Sequence, residues 1–142
     1  MGLPGSGKTT LAKTLSTILG AQHLNADTIR DQYNDWDFSP EGRIRQAVRM
    51  RNLSDLSSSC YVVADFVAPT IEIRGIYKPD ILVWMDTIQQ GRFDDTNKIF
   101  EPPNEYDYRI TTYDNEKWAN IIATNLYQLE QHFELGLDNS II

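Results

Sequence analysis

Cysteine is almost absent from this sequence: Cys60 is the single cysteine in 142 residues. One cysteine cannot form an intramolecular disulfide, and this scarcity favours a reducing, cytoplasmic setting over a disulfide-rich secreted fold. Long apolar runs are also missing, since no stretch approaches the ~18 residues that a membrane-spanning helix requires. These deficits predict one globular domain covering residues 1–142, with no membrane as a partner.

Positive charge is scarce as well. The sequence holds 13 lysines and arginines against 20 acidic residues, for a net charge of −7. Proteins that bind a nucleic-acid backbone usually have a basic surface. The one arginine-rich stretch is "RIRQAVRMR", residues 43–51. In a helix, its arginines would point in several directions around the axis instead of lying on one face. Nucleic acid is therefore disfavoured as a partner.

The sequence also lacks a strand in front of its opening motif. Gly2, Gly7, Lys8 and Thr9 in "MGLPGSGKTT" satisfy G-x-x-x-x-G-K-S/T, the pattern of a phosphate-binding loop. Such a loop normally connects a buried strand to a helix, yet only Met1 precedes it here. In folds of this type that strand is the centre of the sheet, so we expect the first strand to be truncated in this sequence.

The rest of the chain alternates helices with short apolar strands. Gly20 and the Ser39–Pro40–Glu41 start signal predict helices over 8–19 and 40–56. A closing amphipathic helix is predicted from 115 to 133, with Leu129 and Phe133 among the residues on its inward face. The strands are predicted within "QHLNAD", "CYVVADF", "DILVWMDT" and "YRITT". Residues 91–108 are expected to form a mobile loop, and the tail, 134–142, is expected to fray. This order predicts a doubly wound parallel α/β sheet of the P-loop nucleoside-triphosphate-hydrolase type.

The loop predicts the first ligand. Its glycines allow amide groups to surround phosphate oxygens, Lys8 can reach the β- and γ-phosphates, and the Thr9 hydroxyl can ligate Mg²⁺. We therefore predict ATP and Mg²⁺ as cofactors. The predicted ATP-binding residues are those of the loop and the first helical turn: Gly2, Pro4, Gly5, Ser6, Gly7, Lys8, Thr9 and Thr10.

Three aspartates are candidates for the catalytic chemistry. Asp27 follows the first predicted strand, close to the expected γ-phosphate, although it could equally cap a helix that begins at Thr28. Asp65 and Asp86 each end an apolar strand, and either could orient a Mg²⁺-bound water. The sequence does not distinguish between these two.

The motifs together resemble those of the adenylylsulfate kinase family, which phosphorylates the 3′-hydroxyl of adenosine 5′-phosphosulfate (APS) with ATP. The similarity rests on "GLPGSGKTTLA", "LNADTIR", "FS" followed by Arg43, "FVAP", "WMDT" and "FEPP", which occur in the family's order over nearly the whole chain. The resemblance implies sulfate activation as the function, APS as the acceptor, and a possible homodimer.

The resemblance also implies individual roles. Asp27 matches an aspartate that handles the metal and the acceptor hydroxyl, and Lys8 and Asp27 are the predicted catalytic residues. Thr9 and Asp27 are the predicted metal ligands. The predicted acceptor-binding residues are Asp27, Arg30, Phe38, Arg43, Gln46, Arg74 and Lys98. Among these, Arg30 and Arg43 match a phosphosulfate clamp, and Phe38 matches an aromatic that stacks on adenine.

Several positions depart from the family pattern. Asn25 replaces an aspartate, Gln46 stands in place of an asparagine, and Ala68 replaces a serine. The lysine-rich lid is rebuilt as "GRFDDTNKIFEPP", whose cations are Arg92 and Lys98. Two alternatives therefore stay open: a kinase for another small molecule or a polynucleotide end, and a nucleotide-binding module without catalysis.

Overall fold

The computed structural model describes residues 1–134, which form six helices and four strands. The predicted fraying of the tail concerns residues that, except for Glu134, lie outside this range. The helices are α1 Lys8–Leu19, α2 Ala26–Gln32, α3 Pro40–Leu56, α4 Ile71–Tyr77, α5 Asp94–Ile99 and α6 Asn115–Glu134. The strands are β1 Gln22–Asn25, β2 Val62–Asp65, β3 Val83–Met85 and β4 Tyr108–Ile110.

Local capping signals fix the ends of two long helices. Gly20 ends α1 in the left-handed conformation, with φ 62°, and its amide donates to the carbonyls of Ser16 and Thr17. At the start of α3, the Ser39 side chain accepts a hydrogen bond from the Gly42 amide, and Pro40 occupies the first helical position. The predicted bounds of α1 and α3 are confirmed.

The strands form two parallel pairs. Asn25 of β1 lies opposite Asp65 of β2, and β3 pairs with β4. Met1 and Gly2 lie between the pairs: the Met85 amide donates to the Met1 carbonyl, and the Gly2 amide donates to the Val67 carbonyl. Because all pairings are parallel, the carboxyl ends of the strands and the phosphate loop meet at one edge.

Below Met1, a cavity of about 450 Å³ separates β2 from β3. Side chains of both strands and of α1 line it, among them Leu11, Leu15, Val63 and Met85. The two strand pairs are therefore joined by main-chain hydrogen bonds at the loop end of the sheet.

Helices cover both faces of the sheet, as the doubly wound prediction requires. On one face α1 and α6 pack through Leu11, Leu15, Ile122 and Ala123. On the other face, α2 and α3 bury a second cluster that contains Leu24, Ile29, Met50 and Tyr77. Among the described residues, no helix combines the length and apolar character needed to cross a membrane.

Three predictions of local structure were wrong. Helix α2 begins at Ala26, with Asn25 as its cap, instead of at Thr28. The predicted loop 91–108 contains α5, because contacts with distant residues stabilise a segment that has no helical periodicity of its own. On α6, Leu129 and Phe133 were predicted to face inward, yet they are 53% and 81% exposed, because the helix extends beyond the part that packs on α1.

Candidate functional site

The phosphate loop, residues 2–8, leads directly into α1. A Cβ atom on Gly2 would lie 2.5 Å from the Met85 carbonyl oxygen, so this position requires glycine. Gly7 precedes α1 with φ 94°, a conformation that side chains rarely adopt, and no side chain caps the helix. The first amides of α1 are therefore available to an anion, which the helix dipole also favours.

Lys8 places a poorly solvated ammonium group at this loop. Its Nζ donates to the Leu3 carbonyl at 3.0 Å. Burial lowers the pKa of Lys8, while the nearby carboxylates of Asp65 and Asp27 act in the opposite direction. An ammonium group in such a place gains more from a phosphate than one in bulk water would.

Asn25 connects the first turn of α1 to the buried carboxylate of Asp65. Its Nδ2 donates to Asp65 Oδ2 at 2.9 Å and to Thr9 Oγ1 at 3.4 Å, and its Oδ1 accepts from the Thr28 amide at 2.9 Å. The carboxylate of Asp65 is buried, and His23 Nε2 lies 3.3 Å from the same oxygen. Asn25 therefore links the first turn of α1 to a buried carboxylate on the neighbouring strand.

Asp27 lies in the first turn of α2 and lines the pocket that also contains Lys8 and Thr9. Because Asn25 caps α2, the carboxylate of Asp27 is not used for capping. In the described part of the chain, no hydrogen bond or ion pair involves this carboxylate. Asp27 is therefore exposed and available for chemistry next to the phosphate loop.

A pocket of about 300 Å³ extends from the phosphate loop to the start of α3, and we call it the arginine pocket. Gly5, Lys8 and Thr9 lie at one end. Its walls include Asp27, Arg30, Phe38, Arg43, Gln46, Asp65, Pro69, Ile73, Arg92, Phe93, Asp95 and Thr96. The pocket thus joins the phosphate loop to most of the predicted acceptor-binding residues.

Two guanidinium groups flank one aromatic ring in this pocket. The Phe38 ring is 46% exposed, with the Cζ atoms of Arg30 and Arg43 at 4.4 and 5.4 Å from its centre. Burial lowers the pKa of both arginines, so their charge is incompletely solvated. A planar apolar surface between two cations suits a ligand that has an aromatic ring and an anionic group.

The two arginines are held differently. Arg30 is buried, and its Nη1 donates to the carbonyls of Asp35 and Asp37, each at 3.0 Å. Arg43 donates through Nε to the Phe38 carbonyl and through Nη2 to Thr96 Oγ1. Among the described residues, Nη1 of Arg43 has no hydrogen-bond partner. Arg43 is therefore the better placed of the two to bind a ligand, whereas Arg30 also supports the 35–37 turn.

Two of the predicted acceptor-binding residues, Arg74 and Lys98, do not line the arginine pocket. Arg74 donates to the Ala68 carbonyl at 2.9 Å and to the Glu101 carbonyl at 2.8 Å, so its observed contacts join two main-chain segments. Lys98 and Thr10 are exposed and do not line the pocket. The spacing of a motif does not determine which way a long side chain points.

Gln46 reaches the pocket, but its amide is already engaged. Nε2 donates to the Ala26 carbonyl at 3.0 Å, and Oε1 accepts from Arg49 at 2.7 Å. Its observed contacts therefore join α3 to α2. Phe93, Asp95 and Thr96 are pocket residues that no sequence pattern indicates, because they lie at the start of the unpredicted α5 or just before it.

The structure distinguishes Asp65 from Asp86. Asp65 lines the arginine pocket and neighbours Lys8. Asp86 instead receives two hydrogen bonds from Arg109, at 2.7 and 2.9 Å, outside the pocket. Asp65 is therefore the aspartate whose position suits a role at the phosphate loop.

The arginines of α3 do not form a basic surface. Arg45 and Arg49 both pair with Asp35, and Arg51 pairs with Asp55. Arg43 lies 3.7 Å from a carboxylate oxygen of Asp95. Each of these four arginines therefore has an acidic neighbour.

Comparison with known proteins identifies the family and the fold of the chain. Residues 1–74 match the family model described as AAA domain, which covers the phosphate loop and the chain through β2. A search of curated proteins found no match.

Three solved structures share the fold. An APS kinase CysC from Mycobacterium tuberculosis, in complex with AMPPNP and APS, superposes with a TM-score of 0.75 at 20% identity, over 89% of this chain and 94% of that one. A cysteine-to-alanine variant of CysC gives 0.71 at 24% identity, over 89% and 93%. Shikimate kinase from Acinetobacter baumannii, in complex with shikimate, gives 0.55 at 21% identity, over 94% and 92%. The predicted P-loop fold and its likeness to APS kinase are confirmed.

Proposed function

Because the chain belongs to the AAA domain family and carries an intact phosphate loop, we propose that it is an ATP-dependent kinase with APS as its acceptor. One observation supports this most directly: the arginine pocket joins Lys8 and Thr9, at the phosphate loop, to Arg43 and Phe38. Such a pocket suits a donor phosphate at one end and an anionic aromatic acceptor at the other.

The donor end would hold ATP through the loop amides and Lys8. Lys8 would balance the negative charge that develops on the transferred phosphoryl group. The hydroxyl of Thr9 and the carboxylates of Asp27 and Asp65 are hard oxygen donors of the kind that fits Mg²⁺. When bound, that ion would supply charge neutralisation at the phosphates.

The acceptor end would orient the hydroxyl that attacks. Phe38 offers a stacking surface for adenine, and Arg43 offers a nitrogen for the phosphosulfate. Asp27 lies on the same pocket as Lys8, where it would accept the proton of the 3′-hydroxyl or orient it. The related CysC structure contains AMPPNP and APS together, which supports a ternary complex of this kind.

An acceptor panel tests the proposal. ADP release would be followed with ATP alone, with APS, with shikimate and with a dinucleotide that ends in a free 5′-hydroxyl. We expect release to depend on APS. Release with another alcohol would support a different small-molecule or polynucleotide-end kinase. ATP binding without release in any mixture would support a non-catalytic module.

The two strand-end aspartates should behave differently. We expect Asp65→Asn to lower kcat by about one to two orders of magnitude, because it removes a charge next to Lys8 and weakens the contact that orients Asn25. Asp86→Asn is the matched control, since it loses only a partly exposed pair with Arg109. Steady-state kinetics would check this, and equal losses in both variants would contradict the assignment of Asp65.

Arg43→Lys should weaken acceptor binding selectively. Lysine keeps the charge but loses the planar fork, and charge-assisted hydrogen bonds contribute about 1.5–3 kcal/mol each. We therefore expect the Kd for APS to rise by about ten- to a hundredfold, with the Kd for ATP unchanged.

Arg45→Lys is the control for this change, because its guanidinium pairs with Asp35 and Asp37 outside the pocket. Calorimetric titration of each variant with each ligand provides the measurement. A parallel loss of ATP and APS affinity in Arg43→Lys would assign the arginine to the nucleotide site or to the fold.

A further inference from the structure

We propose that Asp95 selects the charge of the acceptor, disfavouring ligands whose anionic group at Arg43 is doubly charged. This inference rests on the proposed kinase function and deepens it. Asp95 lines the arginine pocket, and its Oδ2 lies 3.7 Å from Nη2 of Arg43. The same nitrogen donates to Thr96 Oγ1 at 3.3 Å. The acceptor end thus contains a carboxylate next to the cation that would bind the anion.

Helix α5 holds Asp95 in this position. Asn97 accepts a hydrogen bond from the Gly91 amide at 2.8 Å and donates to the Gly91 carbonyl at 2.9 Å. Thr96 is buried against Arg43. After the helix, the Glu101 amide donates to the Pro69 carbonyl at 2.7 Å, which fixes the segment to the opposite wall. Asp95 therefore belongs to a wall of the pocket that is held at both ends.

The positions of the charged residues in the pocket distinguish Asp95 from the other two acids. Its cations are Lys8, Arg30, Arg43 and Arg92, and its acids are Asp27, Asp65 and Asp95. Asp27 and Asp65 neighbour Lys8, at the donor end. Asp95 is the acid whose carboxylate lies next to Arg43, so it acts on the acceptor.

An anion that binds Arg43 must approach the carboxylate of Asp95. Like charges at such distances repel each other, so a second negative charge on the anionic group at Arg43 weakens binding. A hydroxyl or amino group at the same place would instead donate a hydrogen bond to Asp95. The class of acceptor that fits is a nucleotide with a single charge on each anionic group and a hydrogen-bond donor, as APS has, in preference to a ligand with a doubly charged terminal phosphate.

The effect should be moderate because the Asp95 side chain is 72% exposed and solvent screens its charge. With AMPPNP saturating the phosphate loop, we expect Asp95→Asn to tighten APS binding about threefold and binding of adenosine 5′-monophosphate (AMP), which has a doubly charged phosphate, about tenfold. Adenosine carries no charge, so its affinity should not rise. Raising the salt concentration from 50 to 300 mM should shrink the gains.

Asp94→Asn is the matched control. It removes the same charge from the same helical turn, but Asp94 does not line the pocket. Isothermal titration of both variants with APS, AMP and adenosine gives the comparison. Equal effects of the two variants would overturn the proposal, and so would weaker anion binding in Asp95→Asn, which would show that Asp95 acts by holding Arg43. Failure of both APS and AMP to bind the wild-type protein would overturn it too.

Measuring turnover distinguishes a failure of the proposed kinase function from a failure of the proposed role of Asp95. If APS binds but is not phosphorylated, the kinase proposal fails, while the binding comparison of Asp95→Asn with Asp94→Asn still decides the role of Asp95. If APS is phosphorylated, Asp95→Asn should lower the KM for APS and leave the KM for ATP unchanged.

Discussion

Lys8→Ala is expected to lower phosphoryl transfer by about 10³-fold, because it removes the cation that balances charge on the transferred group. Lys8 extends from the first turn of α1, and its ammonium group lies among Leu3, Asp65 and Asp27. The other cations of the arginine pocket, Arg30, Arg43 and Arg92, belong to its walls and not to the phosphate loop. Arg92 is close enough to affect the pKa of Lys8, but it lies before α5 and not on the phosphate loop.

The same variant should keep its fold. Burial lowers the pKa of Lys8, which means that holding its charge in the folded protein is unfavourable, so alanine should not reduce the melting temperature substantially. Lys13→Ala, an exposed change on the same helix, is the control for the loss of a lysine. Single-turnover kinetics and thermal melting would be measured on both variants. Transfer at near the wild-type rate in Lys8→Ala would refute the assignment of the phosphate loop.

Asp27→Asn is expected to lower kcat by about 10²- to 10³-fold, since a general base contributes roughly 10²- to 10⁴-fold to such reactions. The affinity for ATP should change little, because the loop amides and Lys8 hold that ligand independently. An effect confined to kcat would indicate an interaction made in the transition state.

Asp31→Asn is the control for this change, because Asp31 is an exposed acid of α2 that does not line the pocket. Measuring kcat, KM for APS and the Kd for ATP in both variants separates catalysis from binding. If Asp27→Asn instead weakened ATP binding and left kcat intact, Asp27 would belong to nucleotide binding and the acid role would move to Asp65.

Local signals explain why much of the fold could be predicted. Gly20 ends α1 and Ser39 with Pro40 begins α3, and each signal acts within a few residues. The phosphate loop is predictable for the same reason, since its spacing encodes one backbone geometry. These elements position the donor end of the site.

Other parts of the site depend on contacts between distant residues. Asn25 pairs with Asp65, 40 residues away, and its amide links this buried carboxylate to Thr9. Arg43 contacts Thr96, 53 residues away, in a helix that shows no periodicity in the sequence. The orientation of Arg74 toward the Ala68 carbonyl likewise depends on packing and not on its motif. Tertiary structure therefore decides which of the predicted residues face the pocket.

The most direct test of the central claim is a transfer experiment with ATP labelled at the γ-phosphate and with APS. If one pocket brings the two ligands together, the label should appear on the 3′-oxygen of the APS product, in an amount equal to the ADP formed. Two results would contradict the claim: label recovered only as inorganic phosphate, and label that remains in ATP after prolonged incubation.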